Sequence, residues 1–229
     1  VFPEGTDDRV IQAVAQLQRE RLVVPVVLGP VDKVRRAVDE AGGDGAALEV
    51  RDPGKDPVRD LLAAEYFELR RAKGITRADA DERVTDPLVF GALLVRPGAV
   101  RGRVAGAVRT TADVLRAAIQ CVRTAPGIRT VSSSFYMVVR PFRGTEGEEV
   151  LTFTDGGVVP DPTAEQLADI ALAAADARGR IVGDEPRVAF LSYSTRGSAG
   201  GPSVERVREA LARFRELAPD VPAEVELQA

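Results

Sequence analysis

Two kinds of apolar segment take turns along this chain, and that alternation limits its fold more than any single motif. Residues 22–28, 47–50 and 187–193 are short aliphatic runs that read as strands, the last of them buried on both faces. Between them the apolar residues fall at helical spacing. Val10, Val14 and Leu17 do so in 7–20, and Val58, Leu61, Leu62, Tyr66 and Leu69 in 57–72. Val204, Val207, Leu211, Phe214 and Leu217 do the same in a helix from Ser203. Further helices are expected over 31–41, 76–84, 86–96, 111–122 and 164–177, the last capped by Thr163 with Glu165 in its first turn. A short strand is expected at Val104, and a long one over 129–139 that pairs with 150–154 across a polar turn at 144–149. Strand–helix alternation predicts an α/β fold of mostly parallel sheets flanked by helices. The expected division is two lobes, 1–127 and 128–229.

Composition removes several kinds of chemistry. The 229 residues contain no histidine and one cysteine, so neither a zinc constellation nor Ser-His-Asp or Cys-His catalysis is available. A net charge of −4 argues against a nucleic-acid binder, which usually carries a basic face. No apolar run approaches the roughly 18 residues that span a bilayer. The lone Cys121 fits a reducing compartment, so the expected location is the cytoplasm. Neither G-x-x-x-x-G-K-[ST] nor G-x-G-x-x-G occurs, which leaves a P-loop ATPase or a dinucleotide dehydrogenase without support.

Two turns gather the residues that suit an anion. After the strand that ends near Tyr193 come Ser194, Thr195, Arg196, Gly197 and Ser198. After Val104 the chain enters a helix through Thr110 and Thr111. Ligands of open α/β sheets sit beyond the carboxyl ends of strands, where hydroxyls, a guanidinium and helix amides receive phosphate. Ser and Thr also cap helices for structural reasons alone, and that reading stays open for both turns. Arg116, one turn into the helix after Thr111, and Arg70, in the Arg70–Arg71–Lys73 cluster, are candidate phosphate ligands or solvated surface charges. Asp155, before Gly156 and Gly157, reads equally as a site acid or as a turn residue.

Five segments taken together resemble the phosphate acetyltransferase family. They are Phe2 to Val10, Phe67 to Thr76, Gly106 to Arg116, Pro160 to Ala168 and Leu191 to Ala199, in family order over essentially the whole chain. The C-terminal domain of malic enzymes shares the first and fourth segments but differs at the hydroxyl turns. The resemblance implies interconversion of acetyl-CoA plus phosphate with CoA plus acetyl phosphate. It implies no metal and no cofactor, with coenzyme A as a substrate, a homodimer, and an active site in the cleft between the two lobes. It implies coenzyme A contacts from Arg70 and Arg116. It implies an acyl phosphate pocket at Thr110 and Thr111, joined by Ser194, Thr195, Arg196, Gly197 and Ser198. The family often has a histidine where this chain has Arg109. Its base for the CoA thiol and its carbonyl-polarising groups are expected beyond Ala229, so the catalytic residues are unknown here. The chain opens on Val1 without methionine and closes on an apolar–polar alternation at Ala229, and it reads as a fragment, inactive alone. The alternative is a non-catalytic acyl-CoA or phosphate-binding regulatory domain of a larger enzyme.

Overall fold

A computed structural model describes residues 1–142 and 146–227, with the backbone alone at 226 and 227. The chain divides into two compact units, Val1–Arg123 and Thr124–Ala229.

In the first unit, α1 (Asp8–Glu20), β1 (Val26–Leu28), α2 (Val31–Glu40) and β2 (Glu49–Arg51) form one α/β layer. β1 and β2 pair in parallel, with Val27 opposite Val50. Phe2 adds a parallel bridge on the other side of β1: its amide donates to the Val26 carbonyl at 2.8 Å, and its carbonyl accepts from Leu28 at 2.9 Å. Ile11, Val14 and Ala15 of α1 and Val34 and Val38 of α2 pack with Phe2, Val27 and Leu48 in one apolar cluster. The strand expected over 22–28 begins only at Val26, and Val24 is 89% exposed. Pro25 has no amide to give a ladder, so pairing starts after it.

Helices α3 (Arg59–Arg70), α4 (Arg77–Arg83), α5 (Pro87–Val95) and α6 (Thr111–Cys121) surround a second cluster. Asp86 caps α5 by accepting from the Leu88 amide, and Pro87 opens it with a preset φ. From Leu88 to Leu94 every residue of α5 is buried, the pattern of a helix inside a core. The strand expected at Val104 is absent; Val104 is exposed and its amide makes a single backbone bond, to the Val1 carbonyl.

The second unit contains β3 (Ser134–Val139), β4 (Glu149–Thr154), α7 (Ala164–Ile181), β5 (Val188–Leu191), α8 (Pro202–Leu217) and β6 (Ala223–Leu227). β3 and β4 pair antiparallel, whereas β5 and β6 pair in parallel through the α8 crossover. Thr163 and Gln166 form the capping box that starts α7. Phe190 meets Phe214 edge to face at 5.9 Å in a core shared by α7, β5 and α8. β5 is not buried on both faces: Phe190 is buried while Ala189 and Leu191 are exposed. The reason is its position, with β6 as its sole strand partner among the described residues. Of the turn expected at 144–149, Gly144 and Thr145 lie outside the described residues.

β3 is shorter than the expected 129–139 strand because the amides before it have other partners. Those of Arg129 and Thr130 donate to the buried Asp169 carboxylate, and that of Ser133 donates to Asp155. Among the described residues no helix is long and apolar enough to cross a membrane. The fold is α/β, and two of the three described strand pairs are parallel.

Candidate functional site

The 106–111 turn of the first unit is built around a carboxylate from the other end of the sequence. Gly5 lets the opening segment lie directly on β1, where a Cβ would come within 2.3 Å of Val27 Cγ1. Its amide donates to the Leu28 carbonyl at 3.2 Å. That close approach sets Glu4, only 9% exposed, under the turn. Oε2 accepts from the amides of Gly106 and Ala107 at 2.8 Å each, and Oε1 from Val108 at 2.9 Å and Arg109 at 2.7 Å. Gly106 supplies the positive φ of +109° that this reversal needs. Burial pushes the Glu4 carboxyl up, but the four amide donors outweigh it and hold the group below its ordinary value. Arg9 joins from α1, bonded both to Asp7 and to the Ala107 carbonyl. Four successive amides converging on one anion are the usual architecture of a phosphate nest. In this chain an internal carboxylate fills it, a partner 102 to 105 residues away in sequence that neither turn chemistry nor spacing reveals.

What the turn leaves outward is side chains. Thr110 caps α6: its Oγ1 accepts from the Asp113 amide at 3.2 Å and donates to the Asp113 carboxylate at 2.8 Å. The capping reading of Thr110 is therefore realised, and it leaves the neighbouring Thr111 exposed in the first turn. Arg109 turns to α5 and pairs with Asp86 at 3.0 Å. Arg116 is exposed and pairs with Asp113 at 2.8 Å across one turn.

Arg70 ends α3, half-buried, and its side chain makes no hydrogen bond or ion pair to another described residue. The Tyr66 hydroxyl donates to Gln120 Oε1 at 2.9 Å and ties α3 to α6. Arg70 lies one turn after Tyr66 and Arg116 one turn before Gln120, so both flank the same helix–helix contact. Cys121, fully buried beside it, has its thiol pushed up to about 12 by desolvation, which keeps it protonated and unreactive.

The 194–198 turn of the second unit contains hydrogen bonds between near neighbours in sequence. Ser194 is fully buried; its Oγ accepts from the Ala199 amide at 3.1 Å and donates to the Ala199 carbonyl at 3.2 Å. The Thr195 amide donates to Ser198 Oγ at 2.8 Å, and the Ser198 amide donates back to the Thr195 carbonyl. Arg196 and Gly197 both take positive φ, 46° and 84°, at the exposed tip. For an arginine that region is unusual, and it turns the guanidinium outward, where no described residue pairs with it.

Asp155 proves to be a turn organiser. Its carboxylate accepts from the amides of Ser133, Val158 and Val159 and from Ser133 Oγ. Burial opposes ionisation, but these donors win and hold the carboxyl far below the usual range. A group so held is a poor proton acceptor near neutral pH.

Over residues 1–229 the chain matches the protein family described as phosphate acetyl/butaryl transferase. It is 42% identical over 228 residues to a phosphate acetyltransferase of Thermoanaerobacterium thermosaccharolyticum, matching all of this chain and 69% of that protein. It is 40% identical over 229 residues to the phosphate acetyltransferase of Escherichia coli, matching 31% of that longer protein. Its fold superposes on the crystal structure of a phosphotransacetylase from Streptococcus pyogenes with a TM-score of 0.89 at 36% identity, covering 99% of this chain and 67% of that one. Sequence and fold agree over the full extent of the chain: it belongs to the phosphate acetyl/butaryl transferase family.

Proposed function

We propose that this chain is part of a phosphate acetyltransferase and carries the cationic, ligand-holding residues of its site. The observation that carries this reading is 42% identity to a protein of that name over the whole chain. The names of the relatives favour the transferase over a regulatory acyl-CoA-binding domain. In the reaction the CoA thiolate attacks the carbonyl carbon of acetyl phosphate. A C–S bond forms, the C–O bond to phosphorus breaks, and phosphate leaves with the bonding electrons. Arg70 and Arg116 bind the phosphates of coenzyme A, for which the guanidinium fork suits two oxygens at once. Thr110 and Thr111 on the turn of the first unit, and Thr195, Arg196, Gly197 and Ser198 on that of the second, around the buried Ser194, each suit the oxygens of a phosphoryl group. No metal and no resident cofactor enters this scheme. The complete enzyme works as a homodimer in the cytoplasm.

The thiol proton needs a base, because a free thiol titrates near pH 8.5. We assign that base, and the donors that polarise the carbonyl, to the part of the relatives' length that this chain does not span. Glu4 and Asp155, each held ionised by backbone amides, are unsuited to the role, and Cys121 is buried and protonated. Thioester formation by the 229 residues, compared with the complete enzyme at equal concentration, tests the assignment. A missing base alone lowers the rate by about 10² to 10⁴. Turnover of the 229 residues within tenfold of the complete enzyme would place the chemistry inside this chain. Phosphate titration, followed by the amide resonances of residues 106–111 and 194–198, tests the two turns. Unmoved resonances in both turns would refute their place in the site.

A further inference from the structure

We propose that Glu4 is a positioning residue for phosphoryl binding: it occupies the nest formed by the amides of Gly106 to Arg109 and so fixes which groups of the 106–111 turn reach the substrate. The proposal rests on the reading of that turn as part of the phosphoryl site.

The geometry supplies the argument. All four amides of Gly106 to Arg109 are spent on the two Glu4 oxygens, at 2.7 to 2.9 Å. A substrate phosphoryl group arriving at this turn finds no free backbone donor among Gly106 to Arg109. It finds instead Thr111 at the start of α6 and the charge of Arg109. The position of both follows from where the amides are held. Glu4 is itself held from below, since Gly5 fits against β1 only because it lacks a side chain. The rigid sheet therefore sets the height of the turn through one carboxylate. The negative charge next to an anion site is offset by the four amide dipoles and by Arg9 and Arg103, both of which interact electrostatically with it. Arg103 in turn donates to the Leu88 carbonyl at 2.6 Å and the Val114 carbonyl at 2.8 Å, which links this anchor to α5 and α6.

Replacement by glutamine separates positioning from mere support. Glu4→Gln keeps the shape but turns one oxygen into an amino group, so two of the four backbone donors face another donor and the turn must shift. In the complete enzyme we expect the KM for phosphate or acetyl phosphate to rise at least tenfold, with the KM for CoA within twofold of the parent value. Glu4→Asp, which keeps both oxygens but retracts them by one methylene, should fall between the parent and Glu4→Gln. Unchanged KM values in Glu4→Gln, or an equal rise for both substrates, would overturn the proposal even if the melting temperature falls. If Glu4→Gln does not fold, Glu4→Asp decides by the same criterion. Thr111→Val tells the two ideas apart. If it raises the KM for phosphate while the Glu4 variants do not, the site stands and the positioning role fails. If neither Thr111→Val nor the Glu4 variants change that KM, the phosphoryl site itself is misplaced and the proposal falls with it.

Discussion

The turn at 106–111 and the turn at 194–198 use the same vocabulary of glycine, arginine and hydroxyls, yet they are held in opposite ways. The first hangs on a carboxylate about a hundred residues away and on the strand beneath it. The second is closed by hydroxyls within five residues of their partners. A turn of the first kind is only as stable as the unit around it and answers to the charge of one group. In a turn of the second kind, local bonds made by two hydroxyls contribute to the shape. The difference teaches that similar motifs can inherit their rigidity from different levels of the fold.

The largest expected effect lies at the first turn. Glu4→Ala leaves four partly buried amides without their acceptor and should cost about 3 kcal/mol, since hydrogen bonds to charged groups contribute more than neutral ones. Urea unfolding measures it, and a loss no larger than that of Ser194→Ala would erase the contrast between the turns. Ser194→Ala removes one buried hydroxyl that both donates and accepts, which should cost roughly 1–3 kcal/mol. Its effect should stay local, so amide exchange should quicken around residues 194–199 and nowhere in the first unit.

Arg70→Ala and Arg116→Ala probe the ligand side without touching either anchor. Each should raise the KM for CoA by about tenfold, equivalent to about 1.4 kcal/mol. Stability should move by no more than about 0.5 kcal/mol, as for other surface positions. Equal rises for CoA and phosphate would show that these arginines shape the helix pair instead.

The smallest effect is on the acid side. Glu4 titrates below its ordinary value of 4.5 in the folded state, so its contribution is present above that pH. It is lost as the pH falls through the lower folded value. Glu4→Gln should flatten that part of the stability curve, while Ser194→Ala should leave its slope unchanged.

Much of this was readable from the residues because it depends on neighbours in sequence. Helix ends fall within a few residues of expectation wherever a cap sets them, as at Thr163 and Asp86. Thr110 shows how far such local chemistry reaches: its cap was an open alternative, and the hydrogen bond to Asp113 realises it. Strand ends were misjudged because a ladder depends on what lies across from it. Pro25 delays β1, the amides ahead of β3 belong to Asp155 and Asp169, and Val104 pairs with nothing longer than Val1. The role of Glu4 was invisible for the same reason. A glutamate between proline and glycine carries no sign of a partner at residue 106, and only the close passage of Gly5 over β1 brings them together.

The carboxylates that take the amides ahead of β3 have a further consequence, for self-association. β3 exposes Phe135, Met137 and Val138, and β4 is its one strand partner among the described residues. Among the described residues its other edge has no strand partner, and such an edge is a template onto which another extended chain can add. The amides of Arg129 and Thr130 go to Asp169, and that of Ser133 goes to Asp155, which follows β4, so β3 stops at six residues with charge at its root. A longer apolar edge would be a better template for the stacking of copies, and charge at the root of β3 works against that.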